Sequence, residues 1–365
     1  MATPTEQQQP KPAAAAAEEE ETRKLYVTAA DAQAFTEAVL RGNGAPADHA
    51  RTVAECLVAA DLRGVDTHGV NRLPSYMARV RSGVLDAAAV PTLAQVTPAA
   101  AQVDGHNTFG AVAGAWRCKL PSTWPAFKHS NHFGMSAWLV QKALDEGMMS
   151  LVFTNSSPRA ARLLGVSPIA CGAPGGDDES PFILDMAPSV AARGKVYKAK
   201  RRGEKIPLDW ALDAEGRPTD DPAAALEGVM LPMGGPKGSA LAIMMDVFSG
   251  VFSGSAFAGH VTNPYDPSRP ADVGHFLVAI KPDLFMPLAD FRERMRHLYD
   301  RVVKESEPAA GVDRVYFPGE IEQRTERERR RAGIPYVEAE VRALNEEAQR
   351  VGADAIRVTA DGGGE

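Results

Sequence analysis

The sequence predicts a mixed α/β fold, and three observations carry that prediction. From Gly134 to Glu146 apolar side chains recur at helical spacing, Met135, Leu139 and Ala143 with Val140 and Leu144 beside them. Gly147 stops that helix, and Met148 to Phe153 follows as a short apolar run, the pattern of a buried strand. Further strands are read at Leu164 to Pro174, Phe182 to Met186 and His275 to Ile280, while helical patterns dominate both ends of the chain.

Met1 to about Thr22 is rich in Gln, Pro, Ala and Glu and reads as a disordered tail. Thr28 is an N-cap for a helix ending at Gly42, and a second helix runs from about Pro46 to Leu62. DTHGVN is then a loop. Pro74 is tolerated only in a first helical turn, so the next helix begins near Leu73 and stops at Gly83. Val90 to Val103 alternates loosely, as strands do. Pro121 and Pro125 break any long helix before His129 and leave a strand there of at most a few residues. Gly175 to Ser180 is a polar hairpin. Ser239 to Gly259 is small and apolar but interrupted by Asp246, too short an unbroken run to span a bilayer, and reads as a buried helix. Leu288 to Glu305 is an amphipathic helix, Tyr316 to Glu320 a turn, and residues 337 to 351 a last helix before a frayed tail.

Composition narrows the function classes. A net charge of −7 argues against generic nucleic-acid binding. Cys56, Cys118 and Cys171 are odd in number and far apart, which gives neither a disulfide framework nor a zinc pattern and suits a reducing, cytoplasmic setting. No apolar leader opens the chain.

The candidate site is organised around His132. Ser130 and Asn131 are N-cap types, which puts His132 on a loop at a helix N-terminus. The helix dipole disfavours an imidazolium there, so a neutral His132 is available to accept a proton; the alternative is that it only caps the helix. Asn155-Ser156-Ser157-Pro158 is a polar turn at the end of the next strand, where α/β sites collect. Asp66, Thr67, His68 and Arg72 crowd one loop beside two glycines, with Tyr76 one turn further on. Seven basic residues between Arg193 and Lys205 form a solvated helix face, a nuclear-import-like run or a face near phosphate. Gly234, Gly235 and Gly238 with Lys237 open a helix and could hold an anion, without Walker A spacing. Gly105, Gly110 and Gly114 do not make GxGxxG.

Eight motifs taken together add a resemblance. DLRGVDTHGVNRLPSYMARVRSG, SNHFG, TNSSP, SPIACGAP, LDMAPSVAARGK, IPLDWALDAEGRPTDDPAAAL, GGPKG and YFPGEIE occur in that order. They resemble the malate/L-lactate dehydrogenase family of the non-Rossmann type, over about residues 25 to 345. That family includes ureidoglycolate, sulfolactate and 2,3-diketogulonate oxidoreductases and cyclic imine reductases. The resemblance implies disordered tails over residues 1–24 and 351–365. Between them it implies a helical domain built from residues 25–92 and 281–350, and an α/β cofactor-binding domain over 93–280.

It also implies a homodimer that binds NAD or NADP and acts on a small 2-hydroxy or 2-keto acid. His132 becomes the proton carrier, with His68, Arg72, Tyr76 and Ser156 on the substrate. Asp185, Met186, Ala187, Lys237, Gly238, Gly319, Glu320 and Ile321 become the cofactor contacts. No metal, nucleic acid or membrane is implied. The chain departs from the family in three places: Thr67 replaces a usual Ser, and the segments between Gly114 and Ser130 and between Pro158 and Leu164 are short. The short segments predict a less stable protein with weak turnover. A cyclic imine-2-carboxylate reductase, and an impaired member that only binds nucleotide and dimerises, are the alternatives.

Overall fold

The computed structural model describes residues 23–115, 124–158, 165–176 and 180–359. The N-terminal tail, Cys118, the second short segment and the tip of the polar hairpin fall outside these residues. Strand β1 (Lys24–Val27) leads into α1 (Ala29–Gly42), whose first turn is capped by the Thr28 hydroxyl accepting from the Asp31 N–H. Helices α2 (Ala47–Leu62) and α3 (Leu73–Arg81) follow, joined by two single 3-10 turns at Asp66–His68 and Val70–Arg72. Next come β2 (Thr92–Thr97), β3 (Ala100–Asp104), α4 (Gly110–Ala115), β4 (Trp124–Ser130), α5 (Ser136–Asp145) and β5 (Met149–Thr154). Strands β6 (Ile169–Ala173) and β7 (Phe182–Met186) lead to a side unit of α6 (Arg193–Arg202), β8 (Ala211–Leu212), α7 (Pro222–Glu227) and β9 (Val229–Met230). The chain ends with α8 (Pro236–Asp246), β10 (Val273–Ile280), α9 (Leu288–Tyr299), α10 (Glu320–Ala332), β11 (Ile334–Val337) and α11 (Glu338–Arg350).

Seven strands form the central sheet in the order β2-β3-β4-β10-β5-β6-β7, with β3 and β4 parallel and every other neighbour antiparallel. Period-two alternation divides its side chains. Phe127, Val152 and Leu277 face the main core, which the N-terminal helices, α4 and α5 complete. Their neighbours Ala126, Phe153 and Phe276 face the opposite way, onto Met245 of α8. Helix α5 lies close against β6 because Gly172 has no side chain: a Cβ there would meet Val140 at 2.3 Å. At the far side β1 pairs with β11, which brings the two chain ends together.

Four expectations need correction. The strand before His129 is seven residues long, β4, not a few. Pro125 is tolerated because pairing with β10 reaches only Ala126, so its missing N–H falls where that ladder has ended. Helix α5 begins at Ser136 through Met135, with no side-chain cap of its own; Ser130 ends a strand and Asn131 bonds elsewhere. The Ser239 to Gly259 segment is not a buried helix: α8 continues as a π-helical turn (Val247–Val251) and exposes Ile243, Val247, Val251 and Phe252. Residues 351–359 do not fray; Ile356 is buried and Thr359 pairs with Tyr26. Among the described residues no helix is long and apolar enough to cross a membrane.

Candidate active site

Strand direction decides where the site lies. Strands β3, β4, β5 and β7 all run the same way, so their C-terminal ends and the loops that follow gather at one end of the sheet. Those loops carry Asn107, His132 and Ser156, and Asp185 lies near the C-terminal end of β7 itself. Loops leaving the carboxyl ends of strands are where α/β sheets hold ligands. A cleft of about 790 Å³ opens there. Its lining includes His68, Arg72, Tyr76, His132, Ser156 and Asp185 to Ala187, with Gly319 and Ile321 on the far wall.

The His132 loop is held from several sides. Asn131 is buried, and its amide donates to the Asn107 and Thr108 carbonyls at 3.1 and 2.9 Å. Cys56 Sγ donates to the Phe133 carbonyl. Gly110 opens α4 against the loop backbone: a Cβ there would lie 2.1 Å from the Asn131 carbonyl oxygen. That glycine is a packing requirement of the histidine loop, not a phosphate cradle. Tyr76 Oη lies 2.7 Å from His132 Nδ1, and the His68 ring stacks on the His132 ring at 5.3 Å between centroids.

His275 bolts the loop to the sheet. It is fully buried at the start of β10, with Nδ1 2.7 Å from Thr154 Oγ1 and Nε2 2.9 Å from Ser130 Oγ. It therefore ties the end of β4, before His132, to the end of β5, before Ser156. Burial holds its pKa down to about 3, against about 6.5 unfolded. Its contribution is thus present above pH ~6.5 and is lost as pH falls toward ~3. Asp61 and Asp185, pushed up by burial to about 7 and about 6, act in the opposite sense and lose theirs as pH rises through those values. A comparison of variants separates these contributions. The Tm of the native chain is expected to fall more steeply between pH 7 and pH 4 than that of His275→Gln. Parallel Tm–pH curves would contradict this.

The loop carrying His68 and Arg72 is clamped by Asp61, whose carboxyl group accepts from the Val70 N–H at 2.9 Å and from Tyr336 Oη at 2.6 Å. Arg72 is buried, and its Nε donates to the Thr67 carbonyl at 2.6 Å. Its guanidinium stacks on the Tyr265 ring at 4.9 Å. Its Nη1 is buried with no acceptor among the described residues. Burial and the Arg72 charge hold His68 down to about 3, so its imidazole is neutral at ordinary pH.

On the wall at the end of β7, Asp185 accepts from the Ala137 N–H at 2.7 Å and so caps α5 from outside. Gly319 has a φ of +93°, and a Cβ there would meet Ile183 at 2.8 Å, so the backbone itself forms the wall. Arg63, which the sequence reading passed over, is a second buried guanidinium lining the cleft; its Nε and Nη2 have no acceptor among the described residues. Three expected cofactor contacts lie outside the cleft lining. Lys237 is exposed at the start of α8 with Gly238 behind it, and Glu320 is buried, bracing the turn through the Phe317 N–H and Arg314. The basic run forms α6: Val196 and Ala199 point inward, the flanking Lys195, Lys198 and Lys200 are solvated, and Arg193 and Tyr197 reach the cleft.

Comparison with known proteins places this arrangement. A malate dehydrogenase of Pyrococcus abyssi is 34% identical over 346 residues, covering 89% of this chain and 94% of that protein. A (2R)-3-sulfolactate dehydrogenase (NADP(+)) of Chromohalobacter salexigens is 34% identical over 71% of this chain and 82% of its own length. An Escherichia coli O157:H7 ureidoglycolate dehydrogenase (NAD(+)) is 33% identical over 81% and 88%. Among solved structures, the sulfolactate dehydrogenase from Methanocaldococcus jannaschii superposes with a TM-score of 0.84 at 31% identity, covering 90% of this chain and 98% of that one. The family model described as malate/L-lactate dehydrogenase matches residues 27–345, and the chain belongs to that family.

Proposed function

We propose that this chain transfers a hydride between the nicotinamide of NAD or NADP and C2 of a small 2-hydroxy or 2-keto acid, with His132 as proton acceptor and donor. The observation that carries this is Arg72 Nη1, a buried guanidinium N–H without a protein acceptor among the described residues, in the same cleft as His132. A buried donor of that kind calls for a ligand acceptor, and a carboxylate fits a guanidinium through two parallel hydrogen bonds. The wall at Gly319 and the unmatched donors of Arg63 suit an extended, anionic cofactor.

The nicotinamide ring supplies the two-electron acceptor. Arg72 holds the carboxylate and so fixes C2, which lowers the entropic part of the barrier. His132 takes the hydroxyl proton as C2 gives up its hydride and returns it in the reverse direction. His68 stays neutral and offers a hydrogen bond; Ser156 offers another from the neighbouring strand end. The exposed apolar side chains of Ile243 on α8 and of Val251 and Phe252 at the end of the π-helical turn that continues it support the further proposal that a second copy of the chain covers them, as a homodimer.

The test is oxidation of NADH and of NADPH with a panel of 2-keto acids and cyclic imine carboxylates. Turnover on a 2-keto acid is expected. Tight NADH binding with no turnover on any of them would make the chain a nucleotide-binding relative, and turnover on imines alone would make it a reductase of that class.

A further inference from the structure

We propose that Tyr76 is a positioning residue: by accepting from His132 Nδ1 its hydroxyl lets that nitrogen carry the proton in place of the Gly134 contact, and it does not hold the substrate. The inference rests on His132 being the proton carrier. Tyr76 is only 4% exposed, wedged between Phe109 and His132, which leaves little of it for a ligand. Its Oη lies 2.7 Å from His132 Nδ1 and 3.4 Å from the His132 carbonyl oxygen. The Gly134 N–H also donates to Nδ1, at 3.2 Å.

A neutral imidazole carries one proton. With that proton on Nε2, Nδ1 accepts from Gly134 and from the Tyr76 O–H. His132 in this form has no Nε2 lone pair and cannot take the substrate proton there. With the proton on Nδ1, the Gly134 N–H gives up its contact with that nitrogen, the ring donates to Tyr76 Oη instead, and the Tyr76 O–H turns to the His132 carbonyl. Nε2 then holds the lone pair. When the substrate hydroxyl proton reaches Nε2, the imidazolium keeps the same Nδ1–H donation to Tyr76, so nothing on that side rearranges. A hydroxyl is the partner this site needs, because it donates in one state and accepts in the other. A carboxylate in its place would add a negative charge to a cleft that has to accept an anion. Burial keeps Tyr76 a neutral phenol, well above the ordinary tyrosine range. Among the described residues, titratable groups that face this pair include His68, Arg72, Cys56 and Tyr265. His68 and Cys56 are held neutral by burial.

The test compares Tyr76→Phe with His132→Gln in the cofactor-loaded chain. Tyr76→Phe is expected to lower kcat for hydroxy-acid oxidation by roughly 10–100-fold, the worth of one charge-assisted hydrogen bond. The acid limb of its pH–rate profile is expected to move to lower pH, because the imidazolium has lost its Nδ1–H acceptor. KM for the hydroxy acid and Kd for NADH should stay within about twofold. A raised KM with the acid limb unmoved would make Tyr76 a substrate contact, and an unchanged kcat and limb would make it packing only; either overturns the proposal. If His132→Gln keeps normal kcat, the proton-carrier assignment itself fails, whatever Tyr76→Phe does. Should Tyr76→Phe not fold, ¹⁵N-histidine NMR of the native chain with NAD and oxalate decides. A neutral His132 protonated on Nδ1 is expected, and one protonated only on Nε2 would overturn the proposal.

Discussion

His132→Gln is expected to lower kcat by roughly 10²–10⁴-fold, the usual worth of a general acid–base group. Glutamine keeps a hydrogen-bonding side chain of similar reach but cannot take a proton near neutral pH. The loop should survive the change, because its anchors are elsewhere. Asn131 bonds the 107–108 carbonyls, Cys56 holds the Phe133 carbonyl, and His275 ties Ser130 to the sheet. NADH affinity is expected to change little, since the wall proposed to face the cofactor is built from Asp185 to Ala187 and Gly319. Single-turnover kinetics and nicotinamide fluorescence titration check the two halves separately. A variant with near-normal kcat would reduce His132 to part of the cleft wall.

Arg72→Lys is expected to be nearly as damaging, although it keeps the charge. The guanidinium does three things at once: Nε donates to the Thr67 carbonyl, the plane stacks on Tyr265, and Nη1 is left for a ligand. A lysine ammonium is a point donor and cannot do all three. The expected loss in kcat/KM for carboxylate substrates is about 10²–10³-fold, or about 3–4 kcal/mol of a buried charge pair. It should fall on the carboxylic acid alone, with NADH binding intact. Equal activity of the lysine variant would remove Arg72 from the substrate.

Much of this was legible in the residues. The α1 to α3 helices, with Thr28 as cap and Pro74 in a first turn, followed from local chemistry and appear where it put them. So did β5 and the polar turn behind it, because a short apolar run between Gly147 and Asn155 leaves little choice. Long-range pairing was not legible. Whether a proline-containing stretch becomes a strand depends on which side of it a neighbour's ladder ends, and β10 lies about 150 residues away from Pro125. The cap of α5 is the Asp185 carboxylate from another strand, so local N-cap types at Ser130 and Asn131 pointed to the wrong start. His275 carried no local signal, since a histidine in a strand becomes a bolt only when two hydroxyls from other strands meet it. Gly110 did carry one: its glycine marks a close backbone approach, here to Asn131.

The short segment between Gly114 and Ser130 bears on stability through β4. That strand runs over residues 124–130, paired with β3 from Trp124 to Lys128 and with β10 at Ala126, Phe127 and Ser130, so it is longer than the few residues expected from the prolines. Residues 116–123 lie outside the described part of the chain.

The central claim is hydride transfer at C2 beside His132, and isotope transfer tests it most directly. A C2-deuterated 2-hydroxy acid incubated with the chain and NAD or NADP is expected to deliver its deuterium to the nicotinamide ring, read by mass spectrometry of the reduced cofactor, and His132→Gln is expected to suppress that delivery. A native chain that binds the cofactor yet moves no deuterium from any 2-hydroxy acid would contradict the account.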